Sequence, residues 1–271
     1  MPTYFDGNLV YIHIPKCAGK NVRQALCEYQ EKLCPSLGLE ALRFRWHESL
    51  FEIQNIFYDR WGKEKWDKAP ILSTIRHPID RAVSWWKYNQ DVTTHNYNFR
   101  KAAKNPAYNI ITSCQHKITP EDYHKYNHKN IKCKHESKIS YINELNSLSF
   151  EEYLDRITYW KKTGCEEPSC PYHALEPQIY WLRDANGVIP LERMNLILLE
   201  NLDQIAGLLP DFGDIGNDRS YFEKAKEKDY TKYLTTKSLI RLRELYAEDF
   251  ELYDFVSKNP PQKINISLPA V

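Results

Sequence analysis

Apolar residues crowd positions 8–14, where Leu9, Val10, Ile12 and Ile14 enclose Tyr11 and His13. This short, β-branched run predicts a strand buried on at least one face. Beyond Gly19 the period changes. Val22, Ala25, Leu26, Tyr29 and Leu33 fall at helical spacing, with Asn21 placed to cap the helix. The same succession returns at 69–89, where Ile71, Leu72 and Ile75 predict a strand, and Pro78 suits the first turn of a helix carrying Val83 and Trp86. Near the other end, Leu239, Leu242, Leu245, Tyr246 and Phe250 predict one packing helix over residues 235–255.

The chemistry gathers where strand gives way to helix. A helix start aims unpaired N–H groups and a partial positive charge into the preceding turn, and Lys16 and Lys20 add full charges there. Such a turn suits an anion, most simply a phosphate. In the second unit Arg76 stands at the carboxyl end of the strand, and Ser84 follows about two helical turns later. A guanidinium fork with a hydroxyl beside it is a second phosphate cradle. Two cradles imply a ligand with two separated phosphate groups. The general nucleotide loop Gly-x4-Gly-Lys-(Ser or Thr) fits at Gly19 and Lys20, but Ile14 replaces its first glycine and Asn21 its metal-binding hydroxyl.

Residues 13–19, His-Ile-Pro-Lys-Cys-Ala-Gly, resemble the 5′-phosphosulfate loop of sulfotransferases that use 3′-phosphoadenosine 5′-phosphosulfate, His-Ile-Pro-Lys-Thr-(Ala or Gly)-Gly-Thr-Ser. Residues 76–84, Arg-His-Pro-Ile-Asp-Arg-Ala-Val-Ser, resemble their 3′-phosphate motif, Arg-(Asp, His or Asn)-Pro-x-x-Arg-x-x-Ser. The likeness is closest to the carbohydrate O-sulfotransferases of the heparan-sulfate and chondroitin type, and a softer one over 174–203 matches a family helix and a strand near 195–200. The resemblance implies a P-loop-like three-layer α/β fold, with a central, mainly parallel sheet flanked by helices. It also implies donor binding by Lys16, Cys17, Ala18, Gly19, Lys20, Asn21, Arg76 and Ser84. The chain departs from the pattern at Cys17, which replaces a threonine, and at Lys20 and Asn21, which replace paired hydroxyls.

Transfer of a sulfuryl group needs a cation at the departing phosphate and a base at the acceptor hydroxyl. By resemblance Lys16 takes the first role. For the second, the interval between the motifs offers His47, with Glu48 as understudy. A cysteine beside lysines can become a nucleophile, but in-line transfer needs no covalent intermediate. Two rival readings stand beside this one: a nucleoside-triphosphate-dependent kinase, and a module that binds the nucleotide without catalysis.

The remaining composition sets bounds. With 271 residues, 42% hydrophobic and 13% aromatic, the chain suits one domain, here 1–271, interrupted by a polar insertion at about 89–150. That insertion reads as an acceptor-binding surface or a solvated excursion. Against 37 basic residues stand 36 acidic ones, a balance that disfavours nucleic acid and long polyanions. The expected acceptor is therefore a hydroxyl of a neutral sugar, or of a small secondary metabolite. No stretch is long and apolar enough to cross a bilayer, and residues 1–15 show no secretory leader, so a cytoplasmic enzyme off the membrane is expected. Cys114, His116, Cys133, His135, Cys165, Cys170 and His173 have metal-ligand chemistry, but their spacing matches no standard zinc module, so they read first as plain thiols and imidazoles with no metal, ahead of a structural zinc site or a Cys165–Cys170 disulfide. Oligomeric state leaves no mark in the sequence.

Overall fold

The two apolar runs become neighbouring strands in the middle of a sheet. The structure is a computed structural model that describes residues 3–37, 48–88, 148–163, 176–209, 230–261, 263 and 264. Among these the sheet has the order β1 (Thr3–Tyr4), β2 (Leu9–Ile12), β3 (Ile71–Ile75), β4 (Met194–Leu198). β1 is antiparallel to β2, while β2, β3 and β4 run parallel, with Ile12 opposite Ser73 and Ile75 opposite Leu198. Every residue of β2 and β3 is buried, the continuous apolar pattern of a sheet covered on both faces. The expected strands at 8–14, 70–76 and 195–200 are thus present, each trimmed or shifted by one or two residues.

Among the described residues the α-helices in chain order are α1 (Gly19–Leu33), α2 (Leu50–Trp61), α3 (Lys63–Lys68), α4 (78–88), α5 (Phe150–Thr163), α6 (Gln178–Leu182), α7 (Ile205–Leu208), α8 (Thr236–Leu245) and α9 (Ala247–Lys258). Two clusters of buried side chains divide between the faces of the sheet. Leu9, Tyr11, Leu72 and Ile197 pack with Val22, Leu26 and Tyr29 of α1 and with Ile205 and Leu208 of α7. Val10, Ile12, Ile71, Ile75 and Leu196 pack with Ile53 and Phe57 of α2, Trp66 of α3, Trp181 of α6 and Leu252 and Val256 of α9. Alternate residues of each strand serve opposite layers, as the pleat requires.

Two expectations need correction. Asn21 does not cap α1. The helix starts at Gly19 behind Ala18, and the Asn21 N–H already donates to the Ala18 carbonyl at 2.9 Å, inside the first turn. The single helix expected over 235–255 is two, α8 and α9, because Tyr246 leaves helical backbone at φ −127°, ψ 31°.

The chain divides into two compact units. The first comprises Met1–Arg81, Glu176–Asp229 and Tyr246–Val271, and holds the sheet; the second comprises Ala82–Leu175 and Tyr230–Leu245. In the second, Trp86 of α4 packs on Phe150 and Tyr233 and donates from Nε1 to the Leu148 carbonyl at 3.1 Å. α5 opens on a reciprocal cap between Ser149 and Glu152. Lys237 of α8 pairs with Glu151 and Asp155 of α5. Residues 89–147, most of the expected insertion, and the Cys/His cluster lie outside the described residues.

Candidate active site

The loop between β2 and α1 is shaped by its own backbone. Lys16 and Ala18 both take left-handed conformations, at φ 68° and 57°. For residues other than glycine this costs roughly 1–2 kcal/mol each. Three side chains hold the strained form by taking its carbonyls. Arg81 Nε donates to Pro15 O at 3.1 Å, Arg76 Nη1 to Lys16 O at 3.3 Å, and Thr74 Oγ1 to Cys17 O at 2.5 Å. Hydrogen bonds from charged donors contribute about 1.5–3 kcal/mol and neutral ones about 1 kcal/mol, enough to offset the strain.

These tethers decide which way the amides face. In a trans peptide the N–H points opposite the C=O. With the Pro15 and Cys17 carbonyls held by Arg81 and Thr74, the Lys16 and Ala18 N–H groups point away from those side chains. The first N–H groups of α1, at Gly19 and Lys20, have no intrahelical acceptor. The first turn of this 15-residue helix contains no acidic residue, so its positive end is uncompensated. Donors around a helix start whose first turn carries no acidic residue are chemistry for an anion.

Gly19 is where the loop tolerates no side chain. His13, only 6% exposed, lies with its ring so close that a Cβ on Gly19 would sit 1.7 Å from Cδ2 and 2.1 Å from Nε2. That imidazole in turn stacks on Tyr11 at 6.4 Å.

Behind the loop is a buried polar network. Thr74 has one hydroxyl proton and gives it to Cys17 O, so the Tyr11 hydroxyl, 3.1 Å away, is the donor to Thr74. Ser73 Oγ donates to Ile12 O at 2.9 Å, joining β3 to β2 by side chain as well as backbone. Gln178, fully buried at the start of α6, accepts at Oε1 from the Arg76 N–H at 2.8 Å and from the Cys17 thiol at 3.2 Å, while its Nε2 donates to Arg76 O at 2.8 Å. The Gln178 and Ile179 N–H groups donate to the two carboxylate oxygens of Asp249 at 2.8 and 3.0 Å, and Asp249 lies 3.8 Å from Arg81 Nη1. Burial pushes the Asp249 carboxyl up, with Arg81 and the two N–H groups opposing it. Burial likewise pushes the Cys17 thiol up to about 11, against Arg81 and Arg76. A buried, protonated thiol is a poor nucleophile.

The structure thus brings Lys16, Cys17, Ala18, Gly19 and Arg76 into one region at the carboxyl ends of β2 and β3. Lys20 contributes a backbone N–H of the first turn, its side chain being outside the described part, and Asn21 follows half-buried in the same turn. Ser84 is half-buried on α4 in the second unit, and its pairing with Arg76 stays a sequence-based expectation. Glu48 is buried directly before Ser49, the N-cap of α2, whose side chain and Glu52 form a capping box. His47 lies outside the described residues. Among the described residues, no group of three or more His, Cys, Asp or Glu is arranged to hold a metal ion, and no helix is long and apolar enough to cross a membrane.

The sequence reading does not reach Thr74, Arg81, Gln178 and Asp249. Arg81 stands in plain sight as the second arginine of the 76–84 pattern. Asp249 carries a signal too: it falls on the apolar stripe of Leu242, Leu245 and Tyr246, where a carboxylate needs a buried partner. Gln178 and Thr74 carry none.

No curated protein and no solved structure matches this chain. The model of the sulfotransferase family matches residues 5–149, more than half of the 271. That span holds the β2–α1 loop, β3 and the start of α4, and the chain belongs to the sulfotransferase family.

Proposed function

We propose that this chain transfers a sulfuryl group from 3′-phosphoadenosine 5′-phosphosulfate to a hydroxyl, with a neutral sugar as acceptor, and that both units form one cytosolic catalytic domain. The observation that carries the reading is the β2–α1 loop: carbonyls tethered behind it, N–H groups and an uncompensated helix start in front, and Arg76 bonded to its edge. The donor supplies an activated sulfuryl group whose departure leaves charge on a phosphate. Lys16 and the amides of Ala18 and Gly19 hold that phosphate and neutralise the charge. Arg76 and Ser84 hold the second phosphate. His47, or Glu48 in its place, accepts the acceptor proton. A formal net charge of +1 favours a neutral acceptor over a polyanion, and the free thiols at Cys17, Cys27 and Cys34 accord with a reducing compartment.

The test is a thermal-shift comparison of 3′-phosphoadenosine 5′-phosphate with ATP plus Mg²⁺, followed by transfer of labelled sulfate to sugars, polysaccharides and small alcohols. Stabilisation by the bisphosphate alone, with label on a neutral sugar, is expected. Stabilisation by ATP plus Mg²⁺ alone would favour a kinase. Label only on small alcohols would move the acceptor to a secondary metabolite.

A further inference from the structure

We propose that Gln178 is a positioning residue for donor binding, locking the loop of one motif to the arginine of the other; this rests on the reading of the loop and Arg76 as the donor site. The Gln178 amide meets both backbone groups of Arg76 as the peptide of a neighbouring strand would, fixing its orientation: Oε1 must face the N–H and Nε2 the carbonyl. Its Oε1 also takes the Cys17 thiol proton. One side chain therefore fixes the residue whose guanidinium faces Lys16 O and the residue between the two left-handed positions.

Nothing else in the chemistry of a short helix start calls for this residue. The α6 backbone is already held by Asp249 through the Gln178 and Ile179 N–H groups, which any side chain at 178 preserves. What the glutamine adds is the alternation of acceptor, donor and acceptor against Arg76 and Cys17. Without it the Arg76 N–H and carbonyl lose their bonds to Gln178, and the loop loses a tether that registers it against β3. Gln178 touches neither reacting atoms nor ligand in this account; it acts through Arg76 and Cys17.

Two variants test this against 3′-phosphoadenosine 5′-phosphate. Gln178→Met keeps length but removes the amide, and bisphosphate affinity is expected to fall at least about tenfold. Gln178→Glu restores both acceptor and donor when protonated and loses the donor when ionised. Burial at 178, beside Asp249, pushes an introduced carboxyl up from its ordinary value of about 4.3, so the variant's affinity relative to the parent, compared at each pH to cancel the ligand's own titration, should approach one at about pH 5 and decline towards about pH 8. A residue that merely fills space gives a ratio independent of pH. Hydrogen exchange of the free proteins provides a readout that needs no ligand: the amides of residue 14 and residues 16–19 should exchange faster in Gln178→Met, with the later turns of α1 unchanged. Equal affinity of parent and Gln178→Met, or a flat ratio for Gln178→Glu, would overturn the proposal. If the parent itself does not bind the bisphosphate, the donor assignment fails, and unchanged exchange at these amides would then remove the coupling as well.

Discussion

The His13 imidazole occupies the space that a side chain on Gly19 would need: a Cβ there would lie only 1.7 Å from Cδ2. The clash involves the body of a buried ring rather than the tip of a flexible chain. Gly19→Ala must therefore displace either the ring or the start of α1. Bisphosphate affinity, measured by calorimetry, is expected to fall by more than about tenfold, and His13→Ala combined with Gly19→Ala to recover part of the loss. Independent, additive effects of the two substitutions would contradict this packing.

Arg76→Ala removes both a charge and the tether on Lys16 O, whereas Ser84→Ala removes one hydroxyl. The arginine variant should lose about tenfold or more in bisphosphate affinity and the serine variant less, with both proteins folded by circular dichroism. An arginine variant that binds like the parent would dismiss Arg76 from the phosphate site.

Thr74→Val replaces a fully buried hydroxyl with a methyl of the same shape, leaving Cys17 O and the Tyr11 hydroxyl without their shared partner. Stability should drop by roughly 1–3 kcal/mol in urea denaturation. Tyr11→Phe should cost less in that background than on its own, since the bond it removes is already gone.

Cys17 gives stability a pH dependence of definite sign. Its folded pKa of about 11 lies above the ordinary thiol value of about 8.5, so its contribution is complete below that value and is lost as pH rises through about 11. Between these limits the parent should lose up to roughly 3 kcal/mol relative to Cys17→Ala. Urea midpoints of the two proteins at matched pH read this directly, and a constant gap would mean that the thiol is not buried.

His47→Ala is expected to lower sulfate transfer by about 10²–10⁴-fold with bisphosphate binding little changed, and Glu48→Gln to do less. The reverse order in a labelled-donor assay would make Glu48 the base.

Much of the first unit is legible in the sequence because its signals are local. The β-branched runs around Val10 and Ile71 and the helical period from Val22 are short-range patterns, and the sheet obeys them. Asn21 misleads because its side chain suits a cap, whereas the left-handed Ala18 starts the helix two residues earlier than that reading requires. Tyr246 misleads in the opposite way: the apolar spacing continues through a backbone break. Apart from Arg81 and Asp249, the network behind the loop leaves no local signal. Gln178 meets Cys17 across 161 positions and Asp249 across 71, separations over which one sequence carries no record of contact.

The three carbonyl tethers also bear on how fast and at what entropic cost a ligand is captured. Ordering a free backbone residue costs about 1–2 kcal/mol, and a loop already fixed at Pro15, Lys16 and Cys17 has that ordering behind it when the ligand arrives. On the proposed reading of this loop as the donor site, capture would then need no closing step in this segment, and association would be governed by diffusion and orientation rather than by rearrangement. The same tethers would make the proposed site selective in shape: a loop held from three sides would suit one geometry of anion and adapt poorly to others.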